Sequence, residues 1–191
     1  MWWTGKESLF QWHSKIGYVI LSVVVTRLIW GFVGSHHARF VNFVRGWSAT
    51  RAYIKAPANT VGHNPLGALS VLALLGVLLV QGFSGLFSTD DIASEGPLAY
   101  LVGDLSYTMT ALHGYSWTVL QGLILLHIAA VLFYQWSRKY PLLQAMLRGS
   151  AEGKISEFPP VSLLRWIALL VLVIAVLVGL LWLAPSAPAY Y

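Results

Sequence analysis

The chain has 191 residues, 57% of them hydrophobic and 10% charged, where an ordinary soluble domain carries about 25% charge. At a mean hydropathy of +0.67 a water-soluble globule would leave too much apolar surface uncovered, and disorder is excluded on the same ground. The net charge of +5 comes from twelve basic residues scattered between long apolar runs, which build no basic face for nucleic acid.

The opening, Met1-Trp2-Trp3-Thr4-Gly5-Lys6, lacks the basic, apolar and small-residue regions of a secretory signal. Four stretches then reach the ~20 apolar residues that a ~30 Å hydrocarbon core requires of a helix. The first runs from about His13 to Val33, interrupted only by Lys15 and Arg27. The second starts at Asn64-Pro65, an N-cap followed by a first-turn proline, and continues to about Phe87. The third runs from about Leu112 to Trp136, opening near Thr108 and Thr110 and ending at Ser137-Arg138-Lys139. The fourth follows Pro159-Pro160, with Ser162 as cap, and runs from about Leu163 to Ala184 before Pro185. The expected fold is all-α, an integral membrane four-helix bundle.

Lys and Arg collect on the cytoplasmic side of membrane proteins. Loop 34–63 holds Arg39, Arg45, Arg51 and Lys55 with no acid. Loop 88–111 holds Asp90, Asp91, Glu95 and Asp104 with no base, and loop 137–162 returns to Arg138, Lys139, Arg148 and Lys154 against two Glu. The first and third loops are therefore expected in the cytoplasm and the second in the periplasm, which makes the first and third spans run the same way. Most of the tryptophans fall near span ends, where aromatic belts belong.

With no cysteine there are no disulfides, thiolate metal sites, iron–sulfur clusters or covalent haem links, and the ligand supply is His13, His36, His37, His63, His113 and His127. His113 and His127 are 14 residues apart, nearly four helical turns, so they share one face about 21 Å apart along the axis. An imidazole inside a span is costly, so His127 calls for a partner, either a ligand or a hydrogen-bonding neighbour helix. His13 opens the first span at the level where His113 opens the third. Two histidines on facing helices can supply both axial nitrogens of a non-covalent haem, or each can be an interfacial side chain. Arg27 follows His13 at the same 14-residue interval and is read as a partner for an anion such as a haem propionate, or as snorkelling to the nearer face. His36, His37 and His63 fit loop or headgroup contacts, with quinone or propionate contact as the other reading. Phosphate loops, nucleophile triads and paired catalytic carboxylates are missing, so hydrolytic chemistry has no support.

Several motifs occur together: Trp12-His13-Ser14-Lys15-Ile16-Gly17-Tyr18, Arg27-Leu28-Ile29-Trp30-Gly31-Phe32 running on to His36-His37-Ala38-Arg39-Phe40, Gly62-His63-Asn64-Pro65-Leu66-Gly67, Thr89-Asp90-Asp91-Ile92 with Gly96-Pro97-Leu98, Leu112-His113 and Leu126-His127. In this order they resemble the bacterial cytochrome b561 and nickel–iron hydrogenase b-type cytochrome family, over about residues 1–150. The fourth span looks like the extra C-terminal helix of some members, giving a cytochrome domain at 1–150 and a linker with an added span at 151–191.

The resemblance implies a membrane electron carrier of a respiratory chain. It implies haem b, one per chain or two if a helix preceding the first span is supplied, and an oxidoreductase component rather than a hydrolase or transferase. By position, His13 and His113 look like the ligands of the outer haem and His127 like one ligand of the inner haem. The family takes the remaining inner ligand from a helix preceding the first span here, and Trp2-Trp3-Thr4-Gly5 resembles the end of that helix. The expectation is that the numbered chain begins at an internal Met or comes from a truncated gene model. Otherwise His63 or His36 would have to serve. The implied partners are a redox protein outside, such as a c-type cytochrome, and quinone or another acceptor inside, with the chain as a homo-oligomer or complex subunit. The alternative reading is a cofactor-poor membrane anchor or assembly subunit.

Overall fold

A computed structural model describes residues 9–56, 64–90, 94–137 and 162–184. His63, Asp91, the opening Met1–Lys6 segment, Arg138, Lys139, Arg148 and Lys154 lie outside the described residues.

The described chain is all-α, with helices α1 (Phe10–Val33), α2 (Phe40–Phe43), α3 (Trp47–Lys55), α4 (Pro65–Leu86), α5 (Leu105–Trp136) and α6 (Leu163–Leu183), plus 3₁₀ turns at His36–Ala38 and Ala99–Leu101. Four of them, α1, α4, α5 and α6, are long and apolar enough to cross a membrane, which makes this an all-α membrane bundle. Apolar side chains such as Leu125, Leu126, Leu164 and Trp182 are more than 60% exposed, as lipid-facing residues should be.

Asn64 caps α4 as its position suggested: its Oδ1 accepts the Gly67 backbone N–H at 2.6 Å. The expected start of the third span is corrected. Helix α5 begins at Leu105, seven residues before Leu112, and Thr108 and Thr110 lie inside it. Gly103, at φ 51, turns the chain, and the first helical amides, of Leu105, Ser106 and Tyr107, return to the carbonyls of Val102, Gly103 and Asp104. Hydropathy alone could not find this turn, because Leu105 to Ala111 mixes hydroxyl and apolar side chains.

The described residues form two compact units, and helices contribute to both. In the first unit (1–29, 75–119 and 163–191), α1 packs on α4 where Gly82 lets the backbone meet Leu21, since a Cβ there would lie 2.8 Å from Leu21 Cδ1. Buried hydroxyls in α1 are satisfied within the helix: Ser22 donates to the Tyr18 carbonyl at 2.8 Å and Thr26 to the Ser22 carbonyl at 2.7 Å. The α4–α5 connection is tied down. Leu98 N–H donates to the Leu86 carbonyl at 2.9 Å, and Gly96 N–H to the Ser88 carbonyl at 2.7 Å. Thr110 Oγ1 both accepts from Thr89 N–H and meets the Thr89 carbonyl at 2.9 Å. Gly96 lies against the carbonyls of Gly85 and Leu86, where a Cβ would be 2.6 Å from either oxygen.

In the second unit (30–74 and 120–162), the end of α1 meets α2, with Gly31 under the Phe40 ring. Arg39 Nε donates to the Gly34 carbonyl at 2.9 Å and Asn42 Nδ2 to the His36 carbonyl at 2.6 Å, which fixes the turn between them. Helix α3 buries Thr50 and Tyr53 and exposes Arg51 and Lys55, and the Tyr53 hydroxyl reaches that of Tyr134 on α5 at 3.3 Å.

Candidate functional site

In the first unit, three helices contribute to one polar cluster inside apolar spans. His13 on α1 and His113 on α5 face each other with ring centroids 6.0 Å apart and planes at 70°. Phe10 stacks on His13 with ring centroids 6.2 Å apart. His113 is half-buried and held by α4: Nδ1 lies 2.9 Å from the Gln81 carbonyl oxygen, and Nε2 lies 3.0 Å from the Gln81 side-chain nitrogen.

A carbonyl only accepts, so Nδ1 carries the proton and the lone pair of the neutral ring is on Nε2. The orientation of the Gln81 amide follows from its other end, where Ser116 Oγ donates to Oε1 at 2.5 Å and leaves the –NH₂ for Nε2. Ser84, fully buried, donates to the Gln81 carbonyl at 3.2 Å and lies 3.4 Å from Nδ1. Gly85 gives the imidazole its place, since a Cβ there would lie 3.0 Å from Cε1.

Sequence reasoning singled out His13 and His113 and missed Gln81, Ser84 and Ser116. The signal was present: an amide amid Leu and Val in the second span is costly in hydrocarbon unless its hydrogen bonds are met.

In the second unit, His127 is half-buried with Nδ1 3.0 Å from Ser70 Oγ on α4, the hydrogen-bonding neighbour helix that a histidine inside a span calls for. His36 meets His37 edge-on at 5.3 Å in the turn after α1. Arg27, in the first unit, is half-buried on α1 next to the buried Thr26. Among the described residues, no three His, Cys, Asp or Glu side chains converge on a metal ion. A haem asks for less from the protein, two axial nitrogens.

A family model for prokaryotic cytochrome b561 matches residues 1–149. The chain belongs to the prokaryotic cytochrome b561 family. Its four long apolar helices agree with a multi-pass bacterial membrane protein of this family. It is similar to the "Probable Ni/Fe-hydrogenase B-type cytochrome subunit" of Azotobacter vinelandii, at 34% identity over 38% of this chain and 37% of the relative. It is similar also to the protein of the same name from Azotobacter chroococcum mcd 1, at 33% identity and the same coverage. Each match thus spans little more than a third of the relative's length. No solved structure matches this cytochrome b561 family member.

The residues fit haem b. His13 and His113, on two helices with ring centroids 6.0 Å apart, are the donor set that would hold its iron. The backbone hydrogen bond to Nδ1 is the second partner that ligating histidines ordinarily have.

Proposed function

We propose that this chain relays single electrons within a respiratory chain of the bacterial inner membrane, with His13 and His113 as axial ligands of one haem b. The observation that carries the reading is the 6.0 Å pairing of these rings, with His113 oriented through Nδ1. Haem b, when bound, supplies an iron that gains and loses one electron without a bond to substrate. The protein's contribution is positional. The Gln81 carbonyl leaves Nε2 as the nitrogen that would hold the iron, and Gly85 makes room for the ring.

His127 is proposed as a ligand of a second haem. Its Nδ1 is hydrogen-bonded to Ser70 Oγ, which leaves Nε2 as the nitrogen that would hold the iron, with His36 or His63 as candidates for the remaining ligand. Arg27 is proposed to neutralise a propionate. Residues 1–150 are read as the cytochrome domain and 151–191 as a linker with an added span. Loops 34–63 and 137–162 are placed in the cytoplasm and loop 88–111 in the periplasm. The relatives are named as hydrogenase cytochrome subunits, which supports a role as a subunit of a redox complex. A redox protein, such as a c-type cytochrome, would meet the periplasmic side and quinone the other.

Pyridine haemochrome quantification of the purified chain and of His13→Ala, His113→Ala and His127→Ala tests this. Haem b in the wild type, with one haem lost on removing either His13 or His113, is the expected result. No haem b in the wild type, or full haem in His113→Ala, would return the chain to a cofactor-poor anchor.

A further inference from the structure

The second contact of Gln81 with His113 has a consequence of its own. The backbone carbonyl of Gln81 already fixes the ring and its tautomer. The side-chain amide goes further and donates to Nε2 at 3.0 Å, the one lone pair of the imidazole that could bind iron. That lone pair serves one partner at a time. The amide is aimed there by Ser116, a buried hydroxyl on α5 that holds Oε1 at 2.5 Å, so the contact is built from both helices.

We propose that Gln81 is a positioning residue with two separable actions: its carbonyl presents His113 to the haem, and its side-chain amide holds the Nε2 lone pair as a displaceable place-holder until iron takes it. The proposal rests on His113 being an axial ligand. Before haem enters, Nε2 would otherwise be a half-buried acceptor with no partner, in a span where an unmet polar atom is costly. The amide removes that cost, and haem binding must reverse it. Gln81 therefore stabilises the haem-free protein and weakens haem binding by the same factor, which is what linkage requires of a group acting on one state only. A residue that merely packed α4 against α5 would stabilise both states.

The test uses the full chain in detergent or nanodiscs, prepared haem-free from haem-deficient cells and titrated with haemin. Thermal unfolding is followed with and without bound haem. Gln81→Met keeps the volume and the backbone carbonyl and removes the amide. The expected result is haemin binding about fivefold tighter than wild type, the worth of one ordinary hydrogen bond. The unfolding temperature should fall for the haem-free protein and stay unchanged for the loaded one. Ser116→Ala, which unbraces the amide without removing it, should move affinity the same way by a smaller factor, and it carries the test if Gln81→Met does not fold. Equal destabilisation of both states, or unchanged or weaker haemin binding, would overturn the proposal. His113→Ala separates the two layers. If it binds haemin as well as wild type does, the axial reading and this inference fall together. If it loses haem while Gln81→Met binds like wild type, the place-holder alone is overturned.

Discussion

Gly85 gives the sharpest mutational test of the site, because Gly114, next to His113 in sequence, supplies an internal control. A Cβ at position 85 would stand 3.0 Å from His113 Cε1 and 3.2 Å from Nδ1, inside ordinary contact distance. In Gly85→Ala the imidazole must recede by a few tenths of an ångström. Since the ring is held to the Gln81 carbonyl at 2.9 Å, that retreat stretches the bond to about 3.3 Å, past the usual 2.7–3.2 Å range. Losing most of one such bond is worth about 1 kcal/mol, or roughly fivefold in haem affinity. Gly85→Val, with two more methyl groups against the ring, should lose more. At Gly114, next to His113 in sequence, a Cβ meets nothing within 4 Å. Gly114→Ala should therefore keep its haem and gain up to about 1 kcal/mol in helix propensity. Haemin titration and pyridine haemochrome content of the three variants decide the matter. If Gly85→Ala and Gly114→Ala bind haem equally, the ring is not held as argued.

Other expectations follow from single contacts. Asn64→Ala removes the cap on Gly67 and should cost about 1 kcal/mol, read by thermal unfolding in detergent, with Asn64→Asp or Asn64→Ser restoring most of it. Gly96→Ala drives a Cβ into two backbone carbonyls that cannot swing away, so it should destabilise the fold by 1 kcal/mol or more, at about the cost of overpacking, as the unfolding temperature would show. On the proposed ligand assignment, Ser70→Ala should leave a haem held by His13 and His113 in place and alter only the spectrum of a haem that depends on His127, measured in reduced-minus-oxidised spectra. The chain has no native cysteine, so Ser48→Cys on α3 and Glu95→Cys in the α4–α5 connection, both exposed, can be labelled in oriented vesicles. Labelling from opposite sides is expected, and labelling from the same side would refute the charge-based orientation.

The four spans were legible because twenty-residue apolar runs have one physical explanation, and Asn64-Pro65 marks its own boundary. Helix α3 was not legible: nine residues with Arg51 and Lys55 register as a polar loop by hydropathy, although Thr50 and Tyr53 fall three apart, on one face. The start of α5 was hidden because the helix is begun by the Gly103 turn rather than by a rise in hydrophobicity. In the site, the histidines stood out as ionisable groups in apolar sequence. Gln81 was overlooked because the same cost argument was applied to charge and not extended to a neutral amide, and because a donor's role depends on which atoms face it across helices. The pairing of Ser116 with Gln81, 35 residues apart, has no periodic signature in the chain.

Helix α6 has no buried residue along its 21 positions. A segment that keeps most of its side chains exposed in its own fold is constrained chiefly as a solute, by its solubility in hydrocarbon. Exchanges among Leu, Val and Ile at its exposed positions, such as Leu164, Leu172 and Val178, should then leave the polar cluster of α1, α4 and α5 untouched, so long as the stretch stays greasy and long enough.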